Sequence, residues 1–368
     1  MTLCVITYKY PGRHNNSDYS FVKQIVEAMA YIGHHVVVVC PYNFLHYRRY
    51  SPTKEHFKVG KGELTILRPW YPSFGGRISL SSKFRKYALK KAFGQMPIPD
   101  AIYGHFWYSA FSGYEYAKAH HTPLFVASGE SEIKFSLNNR TKEFCDYVSG
   151  VICVSSKNRD ESVSLGLTTP EKCIVAPNAI NNQLFRVIDK EECRKKLRIP
   201  ASAFVVAFVG WFIHRKGAIR VAEAISRVQT HADIFSIFIG RGSEDPCCEN
   251  IVFKGALPHD EIPKYLNAAD IFVLPTLHEG CCNAIVEAMA CGLPVISSDR
   301  PFNWDVLDKT NSILVDPENV QQIADAILLL KENRSLCQQL SEGAILMANK
   351  LTIEKRAETI LRFIKMYI

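Results

Sequence analysis

The sequence predicts an α/β chain built as two doubly wound domains, each a parallel sheet with helices on both faces. Short β-branched runs alternate with helix-like segments along most of the chain. The runs are apolar throughout, as strands covered on both faces must be. They also fall into two sets, and 368 residues is too long for one ordinary domain.

The first set opens with LCVITY (3–8), a helix pattern over 18–32 and HVVVVC (35–40). AIYGH (101–105), PLFVAS (123–128) and VICVS (151–155) follow, with helical segments between them. The stretch 177–200 is rich in Pro, Asn and charge and reads as the seam. The second set is AFVVAFVG (203–210), IFSIFIG (234–240), NIVFKG (250–255), DIFVLP (270–275) and PVISS (294–298). Residues 319–368 read as helices. The expected domains are 1–180 and 181–350, with 351–368 a terminal helix that crosses back to the first. Paired doubly wound domains take ligands between them at the carboxyl ends of strands, so the strand-to-helix turns are where chemistry is expected.

Composition narrows the classes. Apolar residues make up 47 % and charged residues 22 %, a globular balance. No apolar run reaches the ~18 residues of a membrane span. The start, MTLCVITYKYPG, reads as a strand and not as a signal peptide. The twelve cysteines include no C-x-x-C pair, and several lie in apolar runs, so packing in a reduced, cytoplasmic setting is expected. The net charge of +8 is concentrated: residues 41–96 hold twelve basic residues against two acids. Such a patch implies an anionic surface or ligand.

HEGCCNAIVEAMACGLPV (278–295) follows the strand DIFVLP. A helix starting near Cys282 has no acid in its first turn, so the amides of Cys282, Asn283 and Ala284 suit an anion such as phosphate. Glu279 would face that space from the turn. Glu287, two turns in on an apolar helix, needs a partner, and ribose hydroxyls would serve. The plain alternative is a cap-region acid and a solvated helix acid. Three more strand ends carry ligand-like turns. FVGWFIHRKG (208–217) delivers Arg215 and Lys216, cations suited to a diphosphate, unless this is only an exposed basic turn. FIGRGSED (238–245) ends in Gly240 and Gly242, where a ligand can approach the backbone, although a lone G-x-G is weak evidence. FKGALPHDEI (253–262) places Gly255 at a strand end.

These four motifs, in this order, resemble the family 4 retaining glycosyltransferases with the GT-B fold. The likeness covers about residues 175–345: Glu279 and Glu287 with seven residues between them and E-A-M-A-x-G-x-P-V, G-x-x-x-x-x-K-G from Gly210 to Gly217, and G-x-G-x-E from Gly240 to Glu244. The resemblance implies Glu279 on the donor sugar, Glu287 on the ribose, and Lys216 with Arg215 on the diphosphate. It implies that the base lies by Phe253, Gly255 and Leu257, with Gly240 and Gly242 close to the donor. The donor is expected to be a UDP-sugar, with a GDP-sugar as the alternative. No further cofactor is expected, and no D-x-D marks a metal site. Two departures matter. Trp211 stands where the family often has Arg, and Gly129 where it often has His.

The first half matches by pattern only. Many members of the family it resembles have a glycine pair in the first loop, implying contact with the diphosphate. Here the loop 11–20 has Gly12 alone, and Asn15, Asn16 and Ser17 would instead line the acceptor side, or Ser17 or Asp18 would simply cap the helix. His105 and Glu130, at strand ends, are the acid–base candidates; His105 alone is as often a structural histidine. Residues 75–96 read as a basic amphipathic helix, with Leu80, Phe84, Tyr87 and Ala88 on one face and Lys83, Arg85, Lys86, Lys90 and Lys91 beside it. That suits the cytoplasmic face of an anionic membrane, where a lipid-linked acceptor waits; the plain alternative is a solvated helix. Nucleic acid is not expected, because no recognition module accompanies the charge. The expected activity is retaining transfer of a hexosyl or N-acetylhexosaminyl group to a glycan or lipid-linked glycan. A sugar-nucleotide epimerase and a non-catalytic partner subunit are its rivals.

Overall fold

The structure is a computed structural model describing residues 1–12, 19–43, 52–72, 78–228 and 233–368. The chain divides into two compact units, Met1–Ala176 with Ile353–Ile368, and Pro177–Thr352. The seam thus lies at Ala176 and Pro177, slightly ahead of the boundary expected from sequence, and the last helix belongs to the first unit.

The first unit holds β1 (Thr2–Ile6), α1 (Ser20–Tyr31), β2 (His35–Val39), β3 (Tyr42–Asn43), β4 (Lys54–Val59), β5 (Gly62–Leu67) and β6 (Trp70–Tyr71). Then come α2 (Ile78–Phe93), β7 (Ala101–His105), α3 (Trp107–Ala119), β8 (Leu124–Ser128), α4 (Asn139–Tyr147), β9 (Gly150–Cys153), α5 (Ser156–Ser164) and β10 (Cys173–Val175). The sheet order is β10-β9-β8-β7-β1-β2-β5-β4, parallel except that β4 runs against β5. β3 pairs with β6 separately.

Alternate residues of β1 go to opposite faces, as the strand period requires. Leu3 and Val5 join a core with Val22, Met29 and Ile360, while Cys4 and Ile6 join another with Leu89, Phe93 and Trp107. Eight of the twelve cysteines are buried, several within these cores.

The basic window needs correction. It contains the β4–β5 hairpin, which the sequence reading passed over, and Arg68 is internal, only 2 % exposed. Arg68 pairs with Glu55 and donates to the Pro11 carbonyl at 3.1 Å. Lys54 and Lys58 are exposed on the edge strand, where lysine discourages pairing with another chain. Of the face expected of α2, Phe84 and Tyr87 lie open beside Lys83, Lys86, Lys90 and Lys91, and Ala88 is buried with Leu89, Ala92 and Phe93. Asn15, Asn16, Ser17, Asp18 and Arg77 lie outside the described residues, as does the Leu80 side chain.

The second unit holds α6 (Lys190–Leu197), β11 (Phe204–Val209), α7 (Ala218–Val228), β12 (Ile234–Ile239), β13 (Ile251–Gly255), α8 (Ile262–Ala268) and β14 (Ile271–Leu274). It continues through α9 (Asn283–Ala290), β15 (Val295–Ser298), β16 (Ser312–Val315), α10 (Val320–Glu332) and α11 (Arg334–Ala348). Its sheet order is β13-β12-β11-β14-β15-β16, all parallel. α12 (Ile353–Ile364) then returns to the first unit against α1. Where the chain enters and leaves the second unit, Ile180 bridges Thr352 and its amide donates to the Leu351 carbonyl at 2.9 Å. Among the described residues no helix is long and apolar enough to cross a membrane.

Candidate active site

The turns at the carboxyl edge of the second sheet converge on Glu279. After β14 the chain turns at Thr276, which is fully buried, and the Ser298 hydroxyl donates to the Thr276 carbonyl at 2.6 Å. The Thr276 hydroxyl donates to Glu279 Oε1 at 3.1 Å. Arg215 Nη1 donates to the same oxygen at 2.9 Å, and the Lys216 ammonium pairs with it as well. One carboxylate therefore holds two cations, and the Glu279 side chain is only 12 % exposed.

The backbone after β11 is shaped to deliver those cations. Gly217 has φ +81°, and a Cβ there would meet Arg220 Nη2 at 2.6 Å and the Pro275 carbonyl at 2.9 Å, so only glycine fits. Arg220 itself donates to the His214 and Pro275 carbonyls, both at 2.9 Å, fastening this turn to the one after β14. Burial disfavours the Lys216 ammonium, but Cys282 and the Glu279 carboxylate outweigh it and its pKa stands above the ordinary lysine value. Lys216 Nζ lies 3.8 Å from Cys282 Sγ.

Cys282 is the N-cap of α9 and no side-chain oxygen caps the helix, so Asn283 and Ala284 begin it beside the cation pair. The helix start and the two cations form a positive pocket with one internal counter-ion, suited to a ligand with several negative charges. Glu287 has a partner that the sequence did not reveal: His259 Nε2, 2.8 Å away. Burial works against the imidazolium, but the Glu287 carboxylate raises the His259 pKa overall. Phe185 lies against His259, with ring centroids 5.0 Å apart.

Phe253 packs on Tyr265, centroids 4.9 Å apart, with half-buried Gly255 and Leu257 beyond it. Gly240 and Gly242 lock β12 to β11. A Cβ on Gly240 would strike the Gly210 carbonyl at 1.8 Å, and one on Gly242 the Phe212 carbonyl at 2.0 Å. Trp211 is exposed, and the Arg241 guanidinium stacks 5.2 Å above it.

In the first unit, Gly12 is half-buried at the edge of the described loop. Glu130 accepts from the Trp107 amide at 3.1 Å, anchoring the start of α3, and from the Gly129 amide at 3.0 Å. Burial lifts its pKa despite those amides. His105 is 5 % exposed, packed between Phe21 and Phe106 with centroids at 5.2 and 4.5 Å. Burial, then the Arg356 charge, pushes its pKa down to about 3, so the ring is neutral at physiological pH.

That burial has a pH signature. The unfolded chain binds a proton on His105 near pH 6.5, and the folded chain does so only near 3. Stability therefore falls as pH drops between those values. Relative to pH 7, the loss from this ring at pH 5 is about 2 kcal/mol. His105→Gln is expected to shrink the difference in unfolding free energy between pH 7 and pH 5 by that amount; an unchanged difference in denaturant titrations would refute the assignment.

Comparison with known proteins identifies the family and the fold. The Glycosyltransferase Family 4 model matches residues 20–184 and the Glycosyl transferases group 1 model residues 189–347. A putative teichuronic acid biosynthesis glycosyltransferase of Bacillus subtilis is 25 % identical over 350 residues, covering 89 % of this chain and 88 % of that protein. An N,N'-diacetylbacillosaminyl-diphospho-undecaprenol α-1,3-N-acetylgalactosaminyltransferase of Campylobacter jejuni is 25 % identical over 58 % of this chain and 59 % of its own length. Among solved structures, Anabaena HepE in complex with UDP and glucose superposes with a TM-score of 0.74 at 16 % identity, covering 99 % of each chain. With two matched models that between them run from residue 20 to 347, and solved neighbours that share its two Rossmann-like units, the chain belongs to the family 4 glycosyltransferases of the GT-B fold.

Proposed function

We propose that the protein transfers a sugar from a UDP-sugar to a lipid-linked or free glycan acceptor with retention of configuration, in surface polysaccharide or glycolipid assembly. The observation that carries this reading is the pairing of Glu279 with Arg215 and Lys216 beside the uncapped start of α9. The diphosphate takes the two cations and the amides of Asn283 and Ala284. Glu279 turns to the donor sugar and Glu287 to the ribose, while Phe253, Gly255 and Leu257 hold the base. Gly240 and Gly242 keep the neighbouring turn close to the donor. Glu130 is the acid–base candidate kept for the acceptor, because His105 is buried among aromatic rings, and Asn15 and Asn16 serve the acceptor side. UDP in the HepE structure and the diphospho-undecaprenol named for the Campylobacter relative support this choice of donor and acceptor.

In this reaction the acceptor hydroxyl approaches the face that the nucleotide leaves, and the departing phosphate oxygen accepts its proton. Positioning and electrostatics do most of the catalysis, so two cations and a helix start neutralise the leaving group without a dedicated metal site. A thermal-shift series with nucleotide sugars tests the donor. A UDP-sugar at a hundredfold excess over its Kd should stabilise by about 2.7 kcal/mol, with GDP-sugars weaker. No shift with any nucleotide sugar would sink the reading.

One observation favours a non-catalytic partner subunit. A Cβ on Gly129 would already meet Val154 Cγ1 at 3.1 Å, leaving little room for a side chain at the family's histidine position. Donor hydrolysis by the wild type, lost in Glu279→Ala, excludes that alternative.

We also infer that the exposed side of α2 contacts an anionic membrane. Phe84 and Tyr87 among Lys83, Lys86, Lys90 and Lys91 combine apolar and cationic contacts. Sedimentation with phosphatidylglycerol vesicles should show binding at low salt that is largely lost at 0.5 M; binding indifferent to salt or to Lys83→Glu/Lys91→Glu counts against it.

A further inference from the structure

A groove of about 630 Å³ runs between α2 and α3 in the first unit. It opens at the carboxyl edge of the sheet, where Tyr8 follows β1 and Tyr108 begins α3, and the Tyr8 hydroxyl donates to the Tyr108 carbonyl at 2.9 Å. From Tyr108 to Ala119 the groove follows α3 for about 16 Å at the helical rise. Leu89, Phe93, Phe111 and Tyr116 line it, and Phe93 stacks on Tyr116 with centroids 4.3 Å apart. Its walls are therefore apolar well beyond the mouth.

The rim is cationic. Arg85 lies over the Tyr8 ring at 4.8 Å, and Lys86 and Lys90 stand one turn apart on the same helix. Among the described residues neither lysine is ion-paired. Glu115, the acid on the opposite wall, faces Arg140 at 3.6 Å, and Arg140 also stacks on Phe111. The groove thus offers an apolar trough with Arg85 at the end nearest the sheet's carboxyl edge and Lys86 and Lys90 along its α2 wall. Hydrocarbon fits the trough, and a phosphate fits the cations.

We propose that this groove binds a long-chain lipid phosphate, with its phosphate at Arg85, Lys86 and Lys90 and the adjoining hydrocarbon against Leu89, Phe93, Phe111 and Tyr116. This rests on the reading of the protein as a transferase with a lipid-linked acceptor, and it assigns that acceptor's carrier to a built site rather than to the bilayer alone. The head lies toward the edge where an acceptor sugar must be presented, and the chain leads away from it past Ala119.

The test is calorimetric titration of the full chain with farnesyl phosphate, farnesol and inorganic phosphate. Farnesyl phosphate should bind at least tenfold more tightly than either partial ligand. Ser112→Trp, which fills the trough, and Lys86→Glu/Lys90→Glu, which reverses exposed charge, should each weaken farnesyl phosphate at least tenfold while leaving UDP binding intact. Should Ser112→Trp fail to fold, the lysine variant still decides. Equal binding by the variants, equal binding of inorganic phosphate, or binding of the lipid only when it is embedded in vesicles would overturn the proposal. A wild type that binds farnesyl phosphate but no nucleotide would instead remove the donor reading and leave this site standing.

Discussion

Lys216→Ala is expected to lower kcat/KM for the donor by about a thousandfold. Its ammonium is almost fully buried, sits against Glu279 and the start of α9, and is held charged despite burial. Losing a buried charge-assisted contact costs about 3–5 kcal/mol when its partner charge stays behind, and each 1.4 kcal/mol is tenfold in rate. On the proposed reading that partner is the diphosphate, which would then rely on Arg215 and the helix amides. Lys216→Arg should recover little, because the planar guanidinium cannot occupy the space of a compact ammonium beside Cys282. Steady-state kinetics with calorimetric UDP binding will decide; a loss below tenfold removes Lys216 from the diphosphate site.

Glu279→Gln should separate binding from turnover. In the ligand-free protein Glu279 is the counter-ion of Arg215 and Lys216. Removing its charge leaves two adjacent cations uncompensated, so the free protein should lose about 1–3 kcal/mol of stability, most visibly at low salt. A diphosphate supplies the missing negative charge. UDP should therefore bind as tightly as before or several-fold more tightly, and should restore much of the lost melting temperature. Sugar transfer should fall about a hundredfold or more, because the carboxylate proposed to orient the donor sugar is gone. Parallel loss of UDP affinity and transfer would show Glu279 to be a structural acid only.

How much of this was legible depends on whether the signal is local. The strands β1, β2 and β11 are short apolar runs rich in Val and Ile, and Gly217, Glu279 and Glu287 stand in and after strand-to-helix turns. The β4–β5 hairpin was hidden because KEHFKV is an edge strand with polar residues on its open side, so no apolar run announces it. The packed face of α2 was not legible for a related reason. Positions 80, 84, 87 and 88 satisfy a helical period as well as 88, 89, 92 and 93 do, and only contact with Leu67, Trp107 and their neighbours chooses between them. His259 could not be matched to Glu287 from sequence, since the two are 28 residues apart and meet only when β13 and α9 are placed. Arg68 looked like surface charge because its partners, Glu55 and the Pro11 carbonyl, are brought to it by the hairpin.

The side-by-side entry and exit of the chain at Ile180 and Thr352 bears on how the protein is made. The first unit is encoded in two pieces, and Ala357, Ile360, Leu361 and Ile364 of α12 belong to its core. During synthesis that core lacks α12 until residues 353–364 have left the ribosome, by which time residues 177–352 are already outside and free to fold. The usual order, in which the N-terminal domain folds first, is reversed. A tethered nascent chain with residues 1–352 outside the exit tunnel and 353–368 replaced by a linker should hold a protease-resistant second unit joined to a first unit that is still readily cut.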